Sequence, residues 1–99
     1  MIARHWRGLA RADRADAYVR HLREETFPAI RRLPGFRSAS ILRRTVPEGV
    51  EFLIATTWES LEAIGAFAGA DVETAVVPAK AQSMMIDFDR VVRHFEIVD

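Results

Sequence analysis

The stretch Phe36-Arg37-Ser38-Ala39-Ser40-Ile41-Leu42-Arg43-Arg44-Thr45-Val46, Pro47-Glu48-Gly49, Val50-Glu51-Phe52-Leu53-Ile54-Ala55-Thr56-Thr57-Trp58 decides the fold. Two β-rich runs around a Pro-x-Gly turn predict an antiparallel hairpin, with strands over 36–46 and about 50–59. In the second run Val50, Phe52, Ile54, Thr56 and Trp58 point one way and Leu53, Ala55 and Thr57 the other, so neither face is clearly polar. An antiparallel sheet with one face in water alternates apolar and polar side chains. A strand apolar on both sides predicts a sheet covered on both sides.

Upstream of the hairpin, Ala15, Tyr18, Val19, Leu22, Thr26, Ile30 and Leu33 follow a helical stripe, with Asp13 as its expected cap. Pro28 lacks the N–H that a helix needs and crowds the carbonyl of Glu24, which predicts a kink between the two. Leu33-Pro34-Gly35-Phe36 is the exit turn. Downstream, Ser60 caps a short helix with Leu61, Ile64, Phe67 and Ala68 inside, and Gly69 suits a left-handed end. A further turn over 71–77 stops at Pro78, 79–83 reads as a loop leading into Met84-Met85-Ile86, and a last strand runs over about 87–98. With a first strand at Ile2–Gly8, the order is strand, helix, strand, strand, helix, strand. That order is the βαββαβ ferredoxin-like unit of the α+β class, one antiparallel sheet with both helices on one face. The helices cover one face only, so the second cover is expected from another copy, making a homodimer.

The chain has 99 residues, and residues 1–99 are expected to form one domain around one modest core. Lys plus Arg and Asp plus Glu are 14 each, so no overall field favours nucleic acid or an anionic membrane. Cysteine is absent, which removes disulfides, thiolate catalysis and cysteine-based metal sites. The three histidines, His5, His21 and His94, show no ligand-like pairing, and no Gly-rich phosphate loop occurs, so no heme, flavin or tightly held metal is expected. With no long apolar run or leader-like segment, a cytoplasmic protein is the expectation.

Arg4-x-Trp6-x-Gly8, Leu33-Pro34-Gly35, Trp58-Glu59-Ser60, Phe67-Ala68-Gly69 and His94-Phe95-Glu96 occur in an order and spacing that resembles the antibiotic biosynthesis monooxygenase-like family of dimeric α/β barrels. The resemblance implies two ferredoxin-like subunits whose sheets close into a barrel, with a pocket in each subunit between helices and sheet. Its members include cofactor-independent oxygenases of aromatic polyketides, quinol oxygenases and heme-degrading enzymes. On the heme-degrading pattern the catalytic Trp falls on Phe67, the iron-ligating His on Val77 and the catalytic Asn near Trp6. All three identities are missing, and valine cannot ligate iron. The implied function is cofactor-independent monooxygenation of a small electron-rich aromatic of phenol, quinol or anthrone type. The alternatives are a non-catalytic or stress-related dimer that binds small molecules, and a related isomerase or decarboxylase.

Period-two alternation puts Ile2, Arg4, Trp6 and Gly8 on one face of the first strand, and Phe88, Arg90, Val92, His94 and Glu96 on one face of the last. If these faces coincide, Arg4, Trp6 and His94 line one pocket, with Phe67, Met84 and Met85 as apolar walls, which suits a flat aromatic molecule. His94 is the candidate general base, or else a strand histidine bonded to a neighbour. Arg4 is the candidate stabiliser of a phenolate, enolate or peroxide, or else an ion-pair partner of Glu96 or Glu51. Trp6 stacks on substrate in this reading, and Trp58 packs in the core. Met84 and Met85 are adaptable walls or ordinary core fillers. His5 and His21 read as surface or interface residues, and Arg31-Arg32 and Arg43-Arg44 as solvated faces.

Overall fold

A computed structural model describes residues 1–99. The hairpin forms as read: β2 (Phe36–Val46) pairs with β3 (Gly49–Trp58) from Phe36↔Trp58 to Val46↔Gly49, and β3 pairs in turn with β1 (Ile2–Ala10) from Ile2↔Trp58 to Ala10↔Val50. The sheet order is β2-β3-β1-β4, with β4 (Met85–Phe88) and β5 (Arg93–Glu96) both pairing to β1, all antiparallel. This is the ferredoxin-like α+β arrangement. Arg4, Trp6, Gly8 and Ala10 of β1 and Phe52, Ile54, Thr56 and Trp58 of β3 are buried beneath the helices. Trp58, Phe52 and Ile64 are the largest side chains with no exposure, and each contributes roughly 1.5–3 kcal/mol through burial.

The helical layer begins with α1 (Ala15–His21), widens into a π-helical turn over Leu22–Thr26 and tightens again into α2 (Phe27–Ile30). The cause is Pro28, whose missing N–H breaks the i→i−4 ladder. The Phe27 N–H reaches back five residues, to the carbonyl of Leu22. Asp13 does not cap this helix; it sits in a short 3-10 turn, Ala12–Arg14, without a side-chain cap. Ser60 does cap α3 (Leu61–Ala68), its Oγ accepting from the Ala63 N–H at 3.1 Å, and Gly69 ends it at φ +84°.

Two expectations at the C-terminal end need correction. The segment read as a loop over 79–83 is a helical turn, α4 (Ala79–Gln82), entered through Pro78, whose fixed φ suits a helix start. The last strand is also not continuous. From Gly8 to Arg4 is four steps along β1, whereas their partners Phe88 and His94 are six steps apart. Two extra residues leave the ladder there, and their backbone serves another segment: Ala75 N–H donates to the Arg90 carbonyl and Val92 N–H to the Glu73 carbonyl. The chain after α3 is thereby tied over the sheet. No helix is long and apolar enough to cross a membrane.

The other sheet face carries no layer. Leu42, Leu53, Ala55, His5 and Phe95 lie on it, Leu42 and Phe95 exposed, with His5 and Phe95 rings 5.1 Å apart. At one end of the same face Glu51 accepts from both Arg7 and Arg44.

Candidate active site

The helices and the tied 71–78 segment enclose a narrow cavity of about 70 Å³ above β1 and β3. Its walls are mainly apolar, with Trp6, Leu22, Phe27, Ile54, Phe67 and Val77 among them. It adjoins an outer groove of about 400 Å³, with His21, Thr26, Ile30, Phe67, Val76 and Pro78 lining both. The inner space fits a ring, and the groove leaves room for the remainder of a larger molecule.

Arg4 stands on the cavity wall, 4% exposed. Its guanidinium donates to the Val72 carbonyl at 2.5 Å and the Thr74 carbonyl at 3.0 Å, lies 2.9 Å from His94 Nε2, and sits 5.6 Å over the Phe67 ring. Neither Glu51 nor Glu96 pairs with it. Burial lowers its pKa to about 10, which leaves it cationic at neutral pH. The result is a desolvated cation whose every partner is neutral. Such a charge is costly unless an anion joins it.

His94 lies behind Arg4 and is absent from the cavity lining. A guanidinium is donor only, so Nε2 accepts and the ring proton is on Nδ1. Burial first, then the Arg4 charge, hold the His94 pKa below its usual value, against a smaller upward pull from Glu73. His94 is thus a neutral imidazole that orients Arg4. Trp6 lines the cavity with its Nε1 donating to the Asp89 carbonyl at 2.9 Å, and its ring fills the space above Gly8, where a Cβ would meet it at 2.4 Å. Phe67 also lines the cavity, stacked 6.1 Å from Trp58. Met84 and Met85 are buried outside this lining, the Met85 sulfur packing by Gly8.

The sequence reading put His21 at the surface or an interface, yet it is 6% exposed and lines the cavity. The π-helical turn accounts for it: its wider repeat aligns His21 with Thr26, five residues on, which the stripe already placed inside. Tyr18, on the same stripe, is buried against the cavity, and its hydroxyl alone among the lining side chains' polar groups has no hydrogen-bond partner in the protein. Burial pushes the Tyr18 pKa up, so it remains a donor. The signal for His21 was Pro28, seven residues downstream, whose kink was legible without its effect on helical phase.

The model of the antibiotic biosynthesis monooxygenase family matches residues 1–77. No curated protein matches the chain. Among solved structures, the heme-degrader MhuD from Mycobacterium tuberculosis with two hemes bound is similar at TM-score 0.68 and 20% identity, over 99% of this chain and 96% of that one. The ActVA-Orf6 monooxygenase of Streptomyces coelicolor in complex with nanaomycin D is similar at TM-score 0.64 and 18% identity, over 95% of this chain and 82% of that one. At such identities these likenesses establish the shared fold.

Proposed function

The chain belongs to the antibiotic biosynthesis monooxygenase family, and from that premise we propose that it is a cofactor-independent monooxygenase of a small electron-rich aromatic of phenol, quinol or anthrone type. The observation that carries this reading is Arg4, a buried cation with only neutral partners on the wall of an apolar cavity. An aromatic that loses a proton there gains a counter-charge that the protein itself withholds. The carbanion form then supplies both electrons: carbon adds to oxygen, the peroxide collapses, a carbonyl forms and the second oxygen leaves as water. Arg4 faces the negative charge through each stage, Trp6 and Phe67 hold the ring, and the apolar walls exclude water, which strengthens that attraction. His94 keeps the guanidinium aimed at the cavity.

Heme does not fit this site. Val77 lines the cavity and is no ligand, and both nitrogens of His21, the one imidazole in the lining, are engaged, by Glu25 and Thr26. We further propose that two copies pair through the open sheet face, where Leu42, Leu53, Ala55 and Phe95 have no cover.

Oxygen-electrode assays with a panel of quinols and anthrones test the function, with uptake expected from the wild-type protein. Tight binding of these aromatics with no oxygen uptake would replace it by the binding-protein alternative.

A further inference from the structure

A reaction that begins by ionising an aromatic hydroxyl needs a base, and His94 is turned away from the cavity with its lone pair committed to Arg4. The π-helical turn supplies another arrangement. His21 Nδ1 lies 3.3 Å from Glu25 Oε2, and His21 Nε2 lies 3.2 Å from Thr26 Oγ1. Lys80 from α4 donates to the same Glu25 oxygen, and this ion pair lies on the outer groove. Glu25 is held ionised by Lys80 first and His21 second. A carboxylate only accepts, so His21 carries its proton on Nδ1, Nε2 accepts, and Thr26 donates to it. The Thr26 oxygen keeps lone pairs for a ligand hydroxyl, and the unpartnered Tyr18 hydroxyl stands on the same wall.

We propose that Thr26, His21 and Glu25 form a proton relay that ionises the aromatic hydroxyl bound in the cavity. The relay rests on the function proposed above. The aromatic O–H bond breaks and its proton bonds to Thr26 Oγ1. That oxygen passes its own proton to His21 Nε2, and the Glu25 carboxylate balances the imidazolium. Negative charge stays on the ligand oxygen, opposite Arg4. When the peroxide collapses, the O–O bond breaks and the departing oxygen leaves as water, taking the proton held on His21 and the hydrogen of the carbon that becomes the carbonyl. Glu25 is a positioning residue: it fixes the tautomer and does not touch the ligand. The spacing is loose for a resting relay, as expected of a site that tightens when occupied.

Thr26→Val, which keeps shape and removes the hydroxyl, is expected to lower kcat/KM about 10²-fold below the substrate's own pKa and to approach parity with wild type above it. His21→Ala is expected to fall equally and to recover with added imidazole, and Glu25→Gln to fall about tenfold. Thr26→Ser restores the wild-type rate. A Thr26→Val enzyme at the wild-type rate, or one equally slow with ionised substrate, overturns the relay and leaves the oxygenase reading standing. Absence of oxygen uptake in the wild type overturns the oxygenase reading, and a second measurement then judges the relay without oxygen. Bound nitrophenol should show its anion's absorbance below its solution pKa in the wild type and not in Thr26→Val. Nitrophenol that stays neutral in the wild type, or does not bind, overturns the relay.

Discussion

Arg4 and Arg7 stand three residues apart on β1, on opposite faces, and their charges are treated in opposite ways. Arg7 points to the open face, where Glu51 accepts from it and from Arg44, and these two arginines, Arg44 first, hold the Glu51 carboxyl below its ordinary range. Arg4 points beneath the helices, where two carbonyls and an imidazole receive it and no carboxylate pairs with it. The half-exposed arginine has a carboxylate partner, shared with Arg44, and the buried one has none. Stability alone favours the reverse, since desolvation makes an unpaired charge most expensive inside. On the inner face the cation meets only neutral groups, whereas on the outer face two cations share one carboxylate beside uncovered apolar side chains.

The largest expected effect breaks the inner half of this comparison. Arg4→Met should lower oxygen uptake by about 10²-fold and abolish preference for ionised aromatics, read by kcat/KM against pH. Its stability should change by no more than about 2 kcal/mol, because removing a desolvated charge offsets the acceptors left unpaired. A variant of normal activity would remove Arg4 from the site. On the outer face, Leu53→Asp places a charge amid the uncovered apolar side chains and should turn a dimer mass in light scattering into a monomer mass. A wild-type protein that is monomeric at micromolar concentration ends the dimer proposal.

A smaller effect concerns His94, behind Arg4 on the inner face. Its pKa is lowered in the fold, so above about pH 6.5 both folded and unfolded forms are neutral and its contribution is fully present. As pH falls from there, the unfolded chain takes up the proton first and stability declines until His94 itself titrates. Thermal unfolding should show Tm falling between about pH 7 and about pH 5, and His94→Gln should flatten that fall. An unchanged slope would mean that burial and Arg4 do not hold His94 neutral. The smallest effect is expected of Glu51→Gln, a slight loss of Tm at neutral pH. Glu51 has a depressed pKa, so its contribution is present above about pH 4.3 and fades as pH falls through the folded value; the difference from the variant should vanish in acid.

Local chemistry was legible in the sequence and non-local chemistry was not. The hairpin, the Ser60 cap, the Gly69 ending and the Pro28 kink each follow from a few adjacent residues. The placement of Arg4 and Trp6 on one face follows from alternation alone. The turn over 79–82 was missed because Pro78 was read as a stop, when the same ring geometry also starts helices. The break between Phe88 and Arg93 had no local signature: its hydrogen bonds go to Glu73 and Ala75. The inward turn of His21 required knowing that a kink would be absorbed as a wider helical turn, which moves every side chain before it relative to those after.

That break in the last strand has a consequence for redesign. A strand's two sides are counted by odd and even, so its length can change at an interior point only by pairs if the far half is to keep its orientation. The two residues that leave the ladder before Arg93 satisfy this, and His94 still meets Arg4 on the inner side. In a straight strand, two residues inserted here would supply the backbone that ties 73–75 while keeping the facing, whereas one residue would turn His94 outward and bring Phe95 in. Excising two residues from 89–92 should therefore give a strand of correct facing over an unroofed cavity, and excising one should give a misfaced edge.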